Sequence, residues 1–359
     1  MIRTIKTVSC LLITALANPS MASDLQTSLT IFNWQYYLSD NAIQQWQEES
    51  QITIEQIYFD SDTHRDRTIN QVNNGSIDIT ILDEVSARNF SSNDKLYRLK
   101  DHPQITNQKH IPLNWRKQCG EYGIPYFWGT LGIVYRKDLF PESPTSWKQL
   151  LEPTTEHYGK VVMTNDYTDL LLPSLFILDS SIENAGRSEL GKVYHQLLKQ
   201  VPHVQTYDYI ISYLEADPER AKGVHLGIAY SGDEATLNSL NNDYEWGYVV
   251  PKEGTILWVD CLAVLKKSLK PDDAFAFINF LHRPEVAALN AIDIGNSTTN
   301  LQAIKIINQS RPKVRELTPS DDLIKHAQFY STQGNTSIIL RSRISNAIIQ
   351  QHKVLNNND

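Results

Sequence analysis

Long apolar runs are missing from this 359-residue chain beyond its first two dozen residues. No later segment reaches the ~18 consecutive apolar residues that a membrane helix needs. Cysteine is scarce. Cys10, Cys119 and Cys261 form neither a CxxC pair nor a metal-ligand spacing, which argues against a zinc site or a cysteine-rich framework. The common enzyme signatures are absent as well: GxSxG, HExxH, GxxxxGKS/T, and GxGxxG after a strand. Ten histidines are scattered without paired ligand spacing and read as surface residues. Positive charge is in deficit, with 33 Lys and Arg against 41 Asp and Glu and a formal charge of −8. Such a surface repels nucleic acid and anionic lipid and favours cationic partners. There is no internal repeat, and the only polar low-complexity stretch is the tail 356–359, expected to fray.

The N-terminus carries Arg3 and Lys6, an apolar run over 7–17, and small residues around Met21-Ala22-Ser23. This is the layout of a secretory signal peptide over residues 1–23. It predicts a soluble, secreted product with a charge of about −10 and roughly 335 residues after processing; with no cofactor motif in the sequence, no cofactor is expected. That length predicts two domains. Cys119 and Cys261 either pair in the oxidising compartment or stay separate thiols. Their distance in the chain favours separate buried thiols.

Periodicity predicts alternating strands and helices: strands at 29–34, 52–59 and 77–82 with a helix at 63–74 between the last two, and a helix capped by Ser39 or Asp40. A second unit has strands at 161–164 and 226–230 and helices at 170–178, 191–199 and 232–240. A strongly apolar strand, 255–265, bears Trp258 and Asp260, and a helix at 272–281 follows. The pattern is α/β with a largely parallel sheet, whose ligands sit beyond the carboxyl ends of strands. Trp34, Tyr37, Asp83 and Glu84 lie at such ends.

Aromatic residues interleaved with carboxylates suit an elongated organic polycation. Each ammonium that leaves water needs an anion or a dense set of acceptors. The methylenes between are covered by flat rings that also attract the charge, at ~0.5–2 kcal/mol per contact. Asp260, inside an apolar strand, is hard to explain without a cationic partner, and Trp258 shares its face. Asp166 and Asp169 serve equally well as helix caps, whereas Asp233 reads first as a site acid with a cap after Gly232 as its second reading. Asp78, Pro125 and Tyr126 read as structural.

Six ordered strings resemble the spermidine/putrescine-binding proteins of bacterial ABC importers: NWQYY (33–37), GSIDI (75–79), IPYFWGT (124–130), AYSGD (229–233), PKEGTILWVD (251–260) and LHRPEV (281–286). The resemblance spans about 29–300. It implies a periplasmic binding protein of two discontinuous α/β lobes, 24–136 with 259–303 and 137–258 with 304–359, joined near Arg136, Trp258 and Ala303. It also implies ligand roles for Trp34, Tyr37, Trp258 and Asp260, with Tyr230 in place of a tryptophan wall. Asp233 matches the acid of a WxGD-like motif, and Asp166 and Asp169 match paired acids that grip a far amine. Asp83 stands where the family often has serine, beside Glu84. The segment IGNSTTN (294–300) departs from the usual Gly-Tyr-Pro-Thr-Pro-Asn, so Asn296 replaces an aromatic wall and both prolines are gone.

By resemblance, the lobes of a monomer close on a polyamine, and a membrane partner reads the closed shape. The partner is either an inner-membrane protein regulating cyclic-di-GMP or an ABC permease. The departures at Asn296 and at Asp83-Glu84, with an unfamiliar stretch after Asn308, resemble the divergent norspermidine-sensor branch and favour sensing. The sequence offers no nucleophile or cofactor motif for an enzyme.

Overall fold

The computed structural model describes residues 27–59, 61–72, 74–240, 243–310, 327–330 and 335–356. The expected signal segment and the tail after Asn356 lie outside them. Alternation of β-branched and aromatic residues yields strands β1 (Ser28–Asn33), β2 (Thr53–Tyr58) and β3 (Ile79–Asp83). Both β2 and β3 run parallel to β1. The connecting helices are Asp40–Ser50, capped by the Ser39 hydroxyl, and Asp62–Gln71, capped by that of Ser61. The chain then extends through β4 (Ile124–Arg136), in which all thirteen residues are buried.

Beyond β4 come β5 (Val161–Val162), β6 (Val204–Thr206), β7 (Leu226–Tyr230), β8 (Trp246–Val249) and β9 (Ile256–Val264). The short pieces β10 (Ser297–Thr298) and β11 (Gln328–Phe329) complete the described strands. The sheet order is β2-β1-β3-β9-β4-β7-β5-β6, with β8 and β10 on β4 and β11 on β9. The two wings are parallel, but β3–β9, β4–β9, β4–β7 and β4–β8 are antiparallel. The sheet is therefore mixed and not largely parallel. Alternating strand–helix units do build the wings, but two long strands crossing between lobes carry the centre.

Those two strands divide the core. Residues of β4 up to Trp128 and of β9 from Leu257 join one apolar cluster, which starts at Leu29 and reaches Ile307. From Leu131 onward, and at Ile256, side chains join clusters of the second half. The helix Asn335–Asn356 returns to that second half through Ile344 and Ile348. Each lobe is thus discontinuous in sequence. The predicted helix at 170–178 is a 3-10 turn, Asp169–Leu171, followed by Leu172–Ile177.

One expectation is corrected. Cys119 and Cys261 are not separate thiols but a disulfide, with Cα atoms 5.7 Å apart across 142 residues of chain. The partnership is made by sheet register, which is not visible locally. Cys261 in β9 stands opposite Pro125 in β4, and the turn before β4 closes when Gly123 N–H donates to the Cys119 carbonyl at 3.2 Å. Gly123 has no room for a side chain there, since a Cβ would lie 2.9 Å from Cys261 Cβ. Replacing both cysteines with alanine is expected to cost about 2–4 kcal/mol, because the cross-link restricts the unfolded chain. A lowered urea midpoint with a steeper slope, as the unfolded chain expands, checks this, and an unchanged midpoint contradicts it.

Candidate functional site

The alternation of β9 sends Trp258 and Asp260 to one side while Val259 and Cys261 are buried on the other. Asp260 lies opposite Asp83 in register, and its Oδ2 accepts a short hydrogen bond from the Tyr37 hydroxyl. The Tyr37 ring packs edge-on against Phe127, 5.2 Å between centroids. Its carbonyl accepts from the Tyr126 hydroxyl at 3.1 Å. Burial, with the nearby charge of Asp83, raises the Asp260 carboxyl to about 7. Trp258 lies over Gly129, where a Cβ would come 2.4 Å from the indole and from Ser231 Oγ. Only glycine lets that ring sit against β4. Its buried Nε1–H has no protein acceptor among the described residues.

The opposing lobe supplies a second acid. Asp169 is 2 % exposed and accepts from the hydroxyls of Tyr230, at 2.5 Å, and Tyr330. Burial and then the charge of Asp166 raise its carboxyl to about 7. Tyr230 meets Trp258 edge-on at 6.3 Å, joining the two lobes. Asp166 is exposed and caps the turn, accepting from the Thr168 and Asp169 amides at 2.7 and 2.9 Å. Its charge is felt across the cleft by Asp62, whose carboxyl burial and neighbouring acids lift to about 6.

The other expected site residues are engaged differently. Asp233 accepts from the Tyr209 hydroxyl at 2.6 Å and the Tyr230 amide at 2.8 Å, which fastens β7 to the helix Asp233–Leu240. Burial raises it to about 7. Asp83 caps the helix Glu84–Ser92 through Oδ1 and takes the Arg65 guanidinium on Oδ2 at 2.8 Å. Burial pushes its carboxyl up, but Arg65 and the Ser86 hydrogen bonds outweigh this and hold it below the usual range. Glu84 is 1 % exposed, accepts from the Val259 amide at 3.4 Å, and its Oε1 has no partner among the described residues. Burial lifts it to about 8. Trp34 packs edge-on against Phe59 at 4.4 Å. Asn296 reaches across to Gly232, its Oδ1 3.0 Å from where a Cβ would be.

Tyr37, Trp258, Asp260, Asp169 and Tyr230 therefore converge, with Asp166 at the margin and Asp83 beside Asp260. Sequence reasoning missed Tyr330, Tyr209, Gly129 and Arg65. The first lies beyond Asn308, where no motif marks it; the IPYFWGT string did contain Gly129. Among the described residues no Lys or Arg pairs with Asp169, Asp233, Asp260 or Glu84. No three His, Cys, Asp or Glu are placed to hold a metal there.

A family model described as bacterial extracellular solute-binding protein matches residues 41–313. The chain belongs to this family. As in its periplasmic relatives, it works outside the cytoplasm, and among the described residues no helix is long and apolar enough to cross a membrane. The Vibrio cholerae norspermidine sensor is 30% identical over 325 residues, 90% of this chain and 89% of that protein. The Escherichia coli spermidine/putrescine-binding periplasmic protein is 26% identical over 343 residues, covering 90% and 92%. Among solved structures, a Streptococcus pneumoniae spermidine/putrescine ABC transporter substrate-binding protein superposes with a TM-score of 0.78 at 27% identity, covering 91% of this chain and 99% of that one. The two-lobed periplasmic-binding-protein fold is thus shared, and the family is one of binding proteins.

Raised acids have a sign that can be tested. Folded Asp260 holds its proton up to about 7, whereas the unfolded chain releases it near 4. Its contribution to stability is therefore present below about pH 4 and lost as pH climbs through 7. Asp260→Asn, which needs no proton, is expected to gain on wild type by ~1 kcal/mol or more between pH 5 and pH 8. Urea midpoints at the two pH values measure this, and a pH-independent difference contradicts it.

Proposed function

We propose that this protein binds a polyamine between its lobes and releases it unchanged, without catalysing a reaction. The observation that carries the reading is a pair of carboxylates, the half-buried Asp260 from one lobe and the buried Asp169 from the other, held by tyrosine hydroxyls instead of cations. Trp258 and Tyr230 meet between them. An ammonium at each acid would replace the proton that burial otherwise favours, and the aromatic rings would cover the methylenes. Relatives named for norspermidine, spermidine and putrescine support the same chemistry. Trp34, Tyr37 and Asp166 complete the proposed contacts. Asp83, Asp233 and Glu84 support them through charge and position.

The proposed output is sensing: the closed, liganded monomer docks on an inner-membrane protein that regulates cyclic-di-GMP. Similarity to the norspermidine sensor over nine-tenths of the chain supports it. Delivery to an ABC permease is the second reading, favoured by the importer proteins at 26% and 27% identity.

Calorimetry with putrescine, spermidine, norspermidine and spermine tests the binding. Wild type is expected to bind at least one with micromolar or better affinity, and Asp260→Asn to lose more than about tenfold. Unchanged affinity in the variant removes Asp260 from the site. For the output, deletion of this gene is expected to alter cyclic-di-GMP responses to added polyamine while leaving uptake of labelled polyamine intact. Lost uptake with intact signalling reverses the assignment.

A further inference from the structure

Arg65 is a buried cation inside an acidic cleft. Its side chain is 1 % exposed and makes hydrogen bonds to Asp62 at 2.5 Å, Asp66 at 2.9 Å, Asp83 at 2.8 Å and the Ser86 hydroxyl at 2.6 Å. The guanidinium also stands 5.6 Å from the Phe59 ring, which in turn packs on Trp34. Its charge acts on Asp62, Asp66, Asp83 and Asp260 alike. Asp83 lies opposite Asp260 in the sheet, at the position where a further anion would serve a ligand ammonium.

We infer that Arg65 is a resident cation that occupies the Asp83 end of the cleft, limits how many ammonium groups the site accepts, and so sets selectivity among polyamines by charge and length. The inference rests on the polyamine reading above. The guanidinium joins the helix Asp62–Gln71 to the end of β3, and Asp62 in this cluster feels the charge of Asp166 from the other lobe. With Arg65 in place, Asp62, Asp66 and Asp83 together contribute a net charge of about −2 instead of −3, and Asp83 has one oxygen on Arg65 and the other on helix amides. A diamine or short triamine can satisfy Asp260 and Asp169. A longer tetraamine must bring one more ammonium towards a guanidinium that does not leave.

The test compares affinities for norspermidine and spermine, read as a ratio, in wild type, Arg65→Met, Arg65→Lys and Asp83→Asn. A unit charge acting over roughly 10 Å at an effective permittivity of about 20 shifts the affinity for each extra ammonium by about tenfold. Arg65→Met is expected to move the ratio about tenfold towards spermine, while Arg65→Lys stays near wild type. Asp83→Asn keeps the helix cap but leaves Arg65 less neutralised, so it is expected to move the ratio the other way. Should Arg65→Met not fold, judged by circular dichroism, Arg65→Gln, which keeps hydrogen-bond donors without the charge, is expected to show the same shift towards spermine and decides in its place. Uniformly weaker binding of both amines, with the ratio unchanged, reduces Arg65 to a structural staple and overturns the inference. Wild-type protein that binds no amine defeats the polyamine reading itself; binding with an unchanged ratio defeats only this one.

Discussion

A carboxylate taken out of water must find a cation, a proton or several strong donors, and that constraint organises this molecule. Asp260 and Asp169 come from opposite lobes, and each is met by tyrosine hydroxyls. The arrangement satisfies hydrogen bonding but not charge, so burial holds both carboxyls at about 7, well above the usual carboxylate range. Arg65 is the contrasting case in the same cleft. There the cation is built in, and Asp83 stays ionised at the end of β3.

What brings these groups together is the passage of β4 and β9 between lobes. Their antiparallel pairing places Cys261 against Pro125 on one side of a register shift between Pro125 and Trp128, and Trp258 against Gly129 on the other, so one strand pair carries both the aromatic wall and the cross-link. The disulfide is formed by Cys261, the residue next to Asp260, and ties β9 to the turn that precedes β4. In the proposed mechanism, a ligand that bridges the two acids binds the closed arrangement better than the open one. That difference alone is what shifts the population. The disulfide and the β4–β9 pairing hold the Asp260 side to β4.

Much of this was legible in the residues. Asp260 betrays itself because an acid in the apolar run ILWVDCLAV has no structural excuse, and the strand's period puts Trp258 beside it. Alternating strands and helices also disclosed the wings of the sheet. The remainder depends on contacts distant in sequence. Cys119 meets Cys261 only through strand pairing, and Tyr330 reaches Asp169 from a stretch without periodicity. Asp83 read as a free ligand acid because its partner, Arg65, sits eighteen residues earlier on a polar helix face and meets it only once the helix Asp62–Gln71 packs back on β3. Asp233 was ambiguous between cap and ligand for a local reason: an acid after glycine at a helix start satisfies amides whatever else it does.

The central claim is that the cleft holds carboxyl groups whose charge is unpaid until a cation binds. Carbon-13 NMR of the aspartate carboxyl groups measures this directly, with Asp260→Asn and Asp169→Asn assigning the signals. Both carboxyls are expected to titrate near 7 in the free protein, as burial dictates, and to fall below about 4 when saturated with a polyamine. Titration of both at ordinary values in the free protein, unmoved by ligand, would contradict the account.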